Sequence, residues 1–255
     1  MKDRRPEDSA EQPEAARRTL GRPLRVILTT IGVFIISQAA GAFIVELVYG
    51  LIHPGSSGAL DKSISGQFFY ILIAEGLAAW FAIYLVRSRR LNLSVIGLGR
   101  RVRTKDLAMA VGGFLIYYAI LLVAGVLVNY LSPDLQNQQQ NLGFTNIRTG
   151  SENVMAFVSL VILPPLGEET LVRGYLFSGL RKYWRFAPAL LFTSLLFGLA
   201  HLEFGSGGPL VWAAAIDTAI LSVVLCYLRE STGALYAGML VHMVNNLIAF
   251  GVHFK

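Results

Sequence analysis

Three ionisable side chains stand together in an otherwise apolar stretch of this chain, the segment 164–174 with the sequence PPLGEETLVRG. An ionised side chain at bilayer depth costs about 2.5–3.5 kcal/mol or more, so Glu168, Glu169 and Arg173 need partners, water or a chemical role. On a helix, Glu169 and Arg173 lie four residues apart with the acid nearer the N-terminus, which is the favourable order for an ion pair. Glu168 then points roughly 100° away from that pair, so the spacing predicts that it faces other helices.

Two further polar motifs lie in apolar segments, Phe197 with His201 and His242 with Asn246. Residues four apart on a helix share one face, at about 6 Å from each other. A carboxylate with two imidazoles and an amide is suited to the hydrolysis of a peptide bond. Glu168, helped by His201, would take a proton from the water molecule that attacks the carbonyl carbon. His242 and Asn246 would donate hydrogen bonds to the resulting oxyanion, a contribution of about 3–4 kcal/mol per donor.

The composition indicates which kind of structure positions these residues. Hydrophobic residues make up 54% of the 255-residue chain and charged residues 15%, and the mean hydropathy is +0.55. These values predict an integral membrane protein, an all-α polytopic bundle of about seven or eight transmembrane helices. The apolar segments near or above the roughly 20 residues that a spanning helix needs are 24–49, 66–86, 107–131, 153–181, 187–202, 209–228 and 233–252.

The chain is predicted to consist of a tail and one membrane domain. Residues 1–23 mix acids and bases with Pro and Ser and carry no apolar periodicity, which is typical of a disordered segment. The membrane domain is predicted to cover 24–255, with the catalytic motifs at about 153–252. The single cysteine, Cys226, lies in an apolar run and is predicted to be a small packing residue.

Basic residues follow an alternating pattern along the chain. They cluster before the first apolar segment, in the connection 87–106 and again in 181–185, whereas the connections 50–65 and 132–152 contain one each. The positive-inside rule therefore predicts a protein of the cell membrane with its N-terminus in the cytoplasm and its C-terminus outside. Because the placement of the +6 formal charge is explained by membrane orientation, no nucleic-acid partner is expected.

The polar motifs are predicted to lie at similar heights in the membrane. Counted at about 1.5 Å per helical residue from the cytoplasmic ends of their helices, the heights are about 20 Å for Glu168, 22 Å for His201 and 18 Å for His242. These counts start from Arg181, Phe186 and Glu230. Agreement within about one helical turn predicts that the three side chains converge on one pocket.

Three motifs, in this order and on successive hydrophobic segments, resemble those of the CPBP (CAAX protease and bacteriocin-processing) family, also called the Abi family, which includes the type II CAAX prenyl endopeptidases. The motifs are Glu168-Glu169-x-x-x-Arg173, Phe197-x-x-x-His201 and His242-x-x-x-Asn246. The resemblance covers about 160–250 and implies an intramembrane helical-bundle protease, with eight spans in the family's CAAX proteases. The catalytic residues that it implies are Glu168, His201, His242 and Asn246.

Neighbouring residues are predicted to support this site. Glu169 and Arg173 would form a structural ion pair that fixes the rotation of their helix. Phe197 shares a helix face with His201 and is predicted to pack against its ring. Three other acids in apolar segments are predicted to be buried hydrogen-bonding partners rather than catalytic acids: Glu46, Glu75 and Asp217.

Three hypotheses for the function stay open on the sequence. The first is a glutamate-dependent intramembrane endopeptidase without a cofactor, which meets membrane lipids and cuts a peptide or lipid-modified protein. The second is a zinc-dependent membrane protease, because Glu168, His201 and His242 supply the three ligands of a catalytic zinc site. The third is a non-catalytic membrane protein, such as an immunity factor or scaffold, in which the polar residues join helices by hydrogen bonds.

Overall fold

The structure is a computed structural model that describes residues 19–55, 57–133, 138, 143–145, 147–202 and 211–254. Within these ranges the regular secondary structure is helical and contains no strand. The predicted all-α bundle is therefore confirmed. Residues 1–18 of the predicted tail lie outside the described residues.

The described residues form eight α-helices, and each of the seven predicted apolar segments corresponds to a different one of them. The helices are α1 (Pro23–Ile52), α2 (Ala59–Lys62), α3 (Ile64–Ser88), α4 (Thr104–Leu131), α5 (Gly150–Arg181), α6 (Phe186–Ala200), α7 (Trp212–Thr232) and α8 (Tyr236–His253). Five of these helices are long and apolar enough to cross a membrane: α1, α3, α4, α5 and α7. Helix α6 is apolar but has 15 residues, so it is shorter than the predicted span.

Several helix boundaries follow from local side-chain chemistry. The Ser63 hydroxyl accepts a hydrogen bond from the Gly66 amide at the start of α3, which satisfies a backbone donor that the helix leaves free. Thr149 and Glu152 form a capping box at the start of α5. The side chain of each residue accepts a hydrogen bond from the backbone N–H of the other. Gly233 ends α7 with φ of +69°, a left-handed conformation that glycine adopts without a steric penalty.

Helix α5 carries the EExxxR motif and is not a regular α-helix. Its α-helical parts alternate with wider π-helical turns at Val158–Ile162 and Glu169–Phe177. Pro164 and Pro165 lie between these turns and remove two backbone N–H groups from the helical hydrogen-bond pattern. Wide turns of this kind are frequent at functional sites because they change the direction of the following side chains.

Small residues let the helices around the motifs approach each other closely. A Cβ atom on Gly198 of α6 would lie 2.6 Å from the backbone oxygen of Ala215 in α7. A Cβ atom on Gly167 of α5 would lie 2.2 Å from the Glu75 Oε2 atom of α3. Both distances are too short to accommodate a Cβ atom. Glycine at these two positions therefore allows the close packing of α6 against α7 and of α5 against α3.

Three helix ends meet at the basic side of the bundle. Arg181 at the end of α5 forms an ion pair with Glu230 of α7, with 2.7 Å between Nη2 and Oε1. The Arg181 guanidinium also lies 5.9 Å from the centroid of the Phe186 ring, at the start of α6. These are the three residues from which the heights were counted, so the helices that carry the motifs share one starting level.

Candidate active site

Glu168 and His242 come together although they are far apart in the sequence. The Glu168 Oε2 atom lies 3.8 Å from the His242 Nε2 atom, so the prediction that Glu168 faces other helices is correct. The Glu168 side chain is 20% exposed and that of His242 is 5% exposed. The separation is too long for a direct hydrogen bond, so both atoms keep their bonding capacity for a third group.

Glu169 lies on the other side of the His242 ring, in a buried trio with His242 and Arg173. Its Oε1 atom accepts hydrogen bonds from Arg173 Nη1 at 2.8 Å and from His242 Nδ1 at 3.2 Å. The predicted ion pair of Glu169 with Arg173 is therefore present, and both side chains are almost fully buried. When the Glu169 carboxylate is ionised it only accepts, so His242 Nδ1 carries a hydrogen and Nε2 is the ring atom directed toward Glu168.

Phe197 and His201 lie at the end of α6, and the Phe197 carbonyl oxygen is 2.8 Å from His201 Nδ1. A carbonyl oxygen only accepts, so Nδ1 carries the hydrogen and a neutral His201 keeps its lone pair on Nε2. The two rings pack with their centroids 4.6 Å apart, as predicted. The Arg173 guanidinium lies 4.1 Å from the centroid of the Phe197 ring, so this aromatic ring links the buried charges of α5 to α6.

Asn246 satisfies a backbone oxygen that the prolines of α5 leave without a helical partner. Its Nδ2 group donates a hydrogen bond to the Leu160 carbonyl at 2.9 Å. That carbonyl would accept from residue 164 in an α-helix or from residue 165 in a π-helix, and Pro164 and Pro165 have no N–H. The amide of Asn246 is thereby oriented, and its second N–H stays available.

Two cavities meet at Glu168 and His201, which line both of them. The smaller cavity has a volume of about 220 Å³ and a mixed polar and apolar wall that includes Asp217, His242 and Asn246. The larger cavity has a volume of about 550 Å³ and lies between α1, α3, α5 and α6, with a mainly apolar wall. The four predicted catalytic residues thus all line the smaller cavity, and two of them also face the larger one.

Two acids that were predicted to be structural also line these cavities. Asp217 accepts a hydrogen bond of 2.5 Å from the buried Tyr117 hydroxyl and faces the smaller cavity. Glu75 lines the larger cavity. Glu46 has a purely local role, because it accepts from two backbone amides at the start of α2. The only sequence signal for Asp217 and Glu75 is an acid inside an apolar segment, since neither belongs to a spaced motif.

A metal site was the alternative use of Glu168, His201 and His242. Within the described part of the chain, no group of three or more His, Cys, Asp or Glu side chains is arranged to hold a metal ion. The zinc dependence that the sequence left open stays a prediction for a chelation experiment.

Residues 150–248 match a protein-family model described as type II CAAX prenyl endopeptidase Rce1-like. Comparisons with curated proteins and with solved structures gave no match. The matched range contains all three motifs and confirms the resemblance to the CPBP family, while α1, α3 and α4 lie outside it. Residues 150–248 are therefore similar to the type II CAAX prenyl endopeptidases, and five helices of the chain are long and apolar enough to cross a membrane.

Proposed function

We propose that this protein is an intramembrane endopeptidase in which Glu168 acts as the general base. The observation that carries the proposal is the approach of Glu168 Oε2 to His242 Nε2, at 3.8 Å, where the two cavities meet. A carboxylate beside an imidazole nitrogen, with space for substrate on two sides, is suited to hydrolysis by an activated water molecule.

Glu168 and His201 activate the water molecule in this mechanism. His201 donates its Nδ1 hydrogen to the Phe197 carbonyl, so its Nε2 lone pair accepts one hydrogen of the water and orients it. Glu168 takes the other hydrogen as the water oxygen bonds to the carbonyl carbon of the peptide. The protonated carboxyl of Glu168 then donates that proton to the leaving amine when the C–N bond breaks, which returns the site to its starting state.

His242 and Asn246 stabilise the negative oxygen that forms during this attack. Asn246 offers its second amide hydrogen, since the first is used by the Leu160 carbonyl. His242 donates from Nε2 when its ring is doubly protonated, because Nδ1–H is held by Glu169. The positive ring then lies between the carboxylates of Glu169 and Glu168. Donors that are fixed before the reaction stabilise a developing charge without the cost of reorganisation.

The larger cavity supports a substrate with an apolar part. Its wall includes Ile31, Phe34 and Leu196 and opens onto Glu168. An apolar cavity of this kind binds apolar surface through the hydrophobic effect. The proposed substrate is therefore a membrane-bound peptide or a lipid-modified protein, whose apolar group occupies the larger cavity while its scissile bond lies at Glu168.

The N-terminus is proposed to be cytoplasmic, as the positive-inside rule predicts. The only cysteine of the chain, Cys226, is buried, so introduced surface cysteines can be labelled selectively. In intact cells, Thr145→Cys should react with a membrane-impermeant maleimide and Arg101→Cys should not. The opposite labelling pattern would reverse the orientation.

The direct test of the proposed chemistry is Glu168→Gln. The purified protein in lipid vesicles is given a farnesylated peptide ending in a Cys-aliphatic-aliphatic-X sequence, and the same peptide without the farnesyl group. Glu168→Gln should abolish cleavage and leave the thermal unfolding temperature near that of the wild type. The matched control is Glu152→Gln on the same helix, because glutamine also completes a capping box and Glu152 lies outside both cavities.

Cleavage by Glu168→Gln at the wild-type rate would refute the general-base role. Stoichiometric zinc whose removal by a chelator ends the activity would favour the metal-dependent alternative. A biological effect that persists in cells with Glu168→Gln or His242→Ala would favour the non-catalytic partner.

A further inference from the structure

Glu75 is a buried acid that the proposed mechanism does not use. It lies in the middle of α3 and is 9% exposed. None of the ion pairs among the described residues includes it. An ionisable group at membrane depth is expensive and usually faces an opposite charge, a cavity or a substrate pathway. Glu75 faces the larger cavity, so that cavity is where its partner is expected.

The Glu75 carboxylate lies next to the catalytic Glu168. Gly167, the residue before Glu168, is so close that a Cβ atom on it would be 2.2 Å from Glu75 Oε2. The two carboxylates line the same cavity. Two like charges in a site of low polarity repel each other, and a cation that enters between them removes that repulsion.

The other polar neighbours of Glu75 are uncharged. The Tyr70 hydroxyl donates a hydrogen bond of 2.5 Å to Gln38 Oε1, which fixes the orientation of the Gln38 amide. The amino group of that amide lies within hydrogen-bonding reach of the Glu75 carboxylate. These groups hold Glu75 in place without supplying a positive charge. The contrast with Glu169 is clear, because Glu169 has Arg173 as a buried counter-ion.

We propose that Glu75, held by Gln38 and Tyr70, forms a subsite that binds a lysine or arginine side chain of the peptide substrate. This inference rests on the proposed protease function and adds a substrate preference to it. Lysine and arginine combine an apolar stem with a cationic end group. The stem fits the apolar wall of the larger cavity, and the end group reaches the acid at its polar end.

The position of Glu75 also defines which residue of the substrate it recognises. Because Glu75 touches the backbone beside Glu168, the subsite lies within about one or two residues of the scissile bond, at about 3.3–3.6 Å per extended residue. The basic residue is therefore expected within about two residues of the bond that is cut, rather than in a distant part of the substrate.

The test uses pairs of farnesylated, quenched fluorescent peptides in which one residue within two positions of the scissile bond, other than the farnesylated cysteine, is either lysine or norleucine. Norleucine keeps the apolar stem and removes the charge. The wild type should prefer the lysine peptide at one of these positions by about 10-fold or more in kcat/KM. Glu75→Gln should remove this preference, because KM for the lysine peptide rises more than KM for the norleucine peptide.

Two further variants keep the test decisive. Gln38→Leu removes the amide that orients Glu75 and should reduce the preference even if Glu75→Gln does not fold. Glu46→Gln is the matched control, because Glu46 is an acid near the end of a neighbouring span outside both cavities, and it should keep the preference.

Three results would overturn the proposed subsite. The wild type could show no preference for lysine, or Glu75→Gln could keep the preference. Alternatively, Glu75→Gln could lower kcat/KM equally for the lysine and the norleucine peptide. In each case the wild type still cleaves the norleucine peptide, so the protease function itself stands. A wild type that cleaves none of these peptides would instead contradict the proposed function together with its subsite.

Discussion

The two cavities that share Glu168 and His201 are built from different parts of the chain. The smaller cavity is lined by residues of α5, α7 and α8 together with His201, and all of them except Ala249 and Phe250 lie within the range that matches the protease family. The larger cavity takes half of its wall from α1 and α3, which lie before that range. The proposed chemistry therefore lies almost entirely in the matched region, whereas the proposed space for substrate also depends on helices outside it.

This difference predicts two kinds of effect of a substitution on cleavage. A substitution in the smaller cavity alters groups that are proposed to contact the reacting atoms, so it should slow the cleavage of every substrate to a similar extent. Changes in the larger cavity alter the fit of a remote part of the substrate, so they should affect some substrates more than others. Three substitutions test this division.

The largest effect is expected for His242→Ala in the smaller cavity. The variant removes a proposed oxyanion donor, and the loss of one such donor lowers kcat by about 10²–10³-fold in known cases. The decrease should be similar for a farnesylated peptide and for its unmodified form, as measured by steady-state cleavage in lipid vesicles. His253→Ala at the exposed end of the same helix is the control. A decrease confined to one peptide would contradict the division between the cavities.

An intermediate effect is expected for Gly198→Ala, which forces apart the helices that separate the cavities. The added Cβ atom would lie 2.6 Å from the Ala215 backbone oxygen, so α6 and α7 must move, at a cost of about 1–3 kcal/mol. The thermal unfolding temperature should fall, and cleavage should decrease because His201 lies one turn away. Gly112→Ala is the control, since no atom lies within 4 Å of the Cβ position. An unchanged unfolding temperature for Gly198→Ala would show that the close contact is not required.

The smallest effect is expected for Phe34→Ala in the larger cavity. Removal of the ring enlarges the apolar space and should shift the preference toward substrates with a bulkier apolar group by about 10-fold, with little change in kcat for small ones. The measurement is the ratio of kcat/KM for peptides with a longer and a shorter isoprenoid chain. Ile44→Ala, on the same helix but outside the cavity, should leave the ratio unchanged. If Phe34→Ala slowed both peptides equally, the larger cavity would not select the substrate.

The sequence predicted the motif geometry well because its periodicity is local. The four-residue spacing of Glu169 and Arg173 predicted a pair that has 2.8 Å between its charged atoms. The spacing of Phe197 and His201 likewise predicted their ring contact. Both interactions depend only on the repeat of one helix, which the apolar pattern already indicated. The common height of Glu168 and His242 followed in the same way from the rise per residue.

Other features could not be predicted because they join separate helices. Nothing local indicates that Asn246 would donate to the Leu160 carbonyl, although Pro164 and Pro165 show that this oxygen lacks a helical donor. The contact of Glu169 with His242 depends on how α5 and α8 are rotated toward each other. The approach of Glu75 to Gly167 depends on the packing of α3 against α5. None of these leaves a periodic signal in the chain.

By itself, the sequence determined that this protein is a membrane-embedded helical bundle, and it identified the residues of the three motifs. Hydropathy and helical spacing are enough for that, because each acts within a single segment. Only the tertiary structure decided that His242 lies between Glu168 and Glu169, and that Glu75 shares a cavity with Glu168. The physical reason is that the surroundings of a charged side chain in a membrane are set by the neighbouring helices and not by its own.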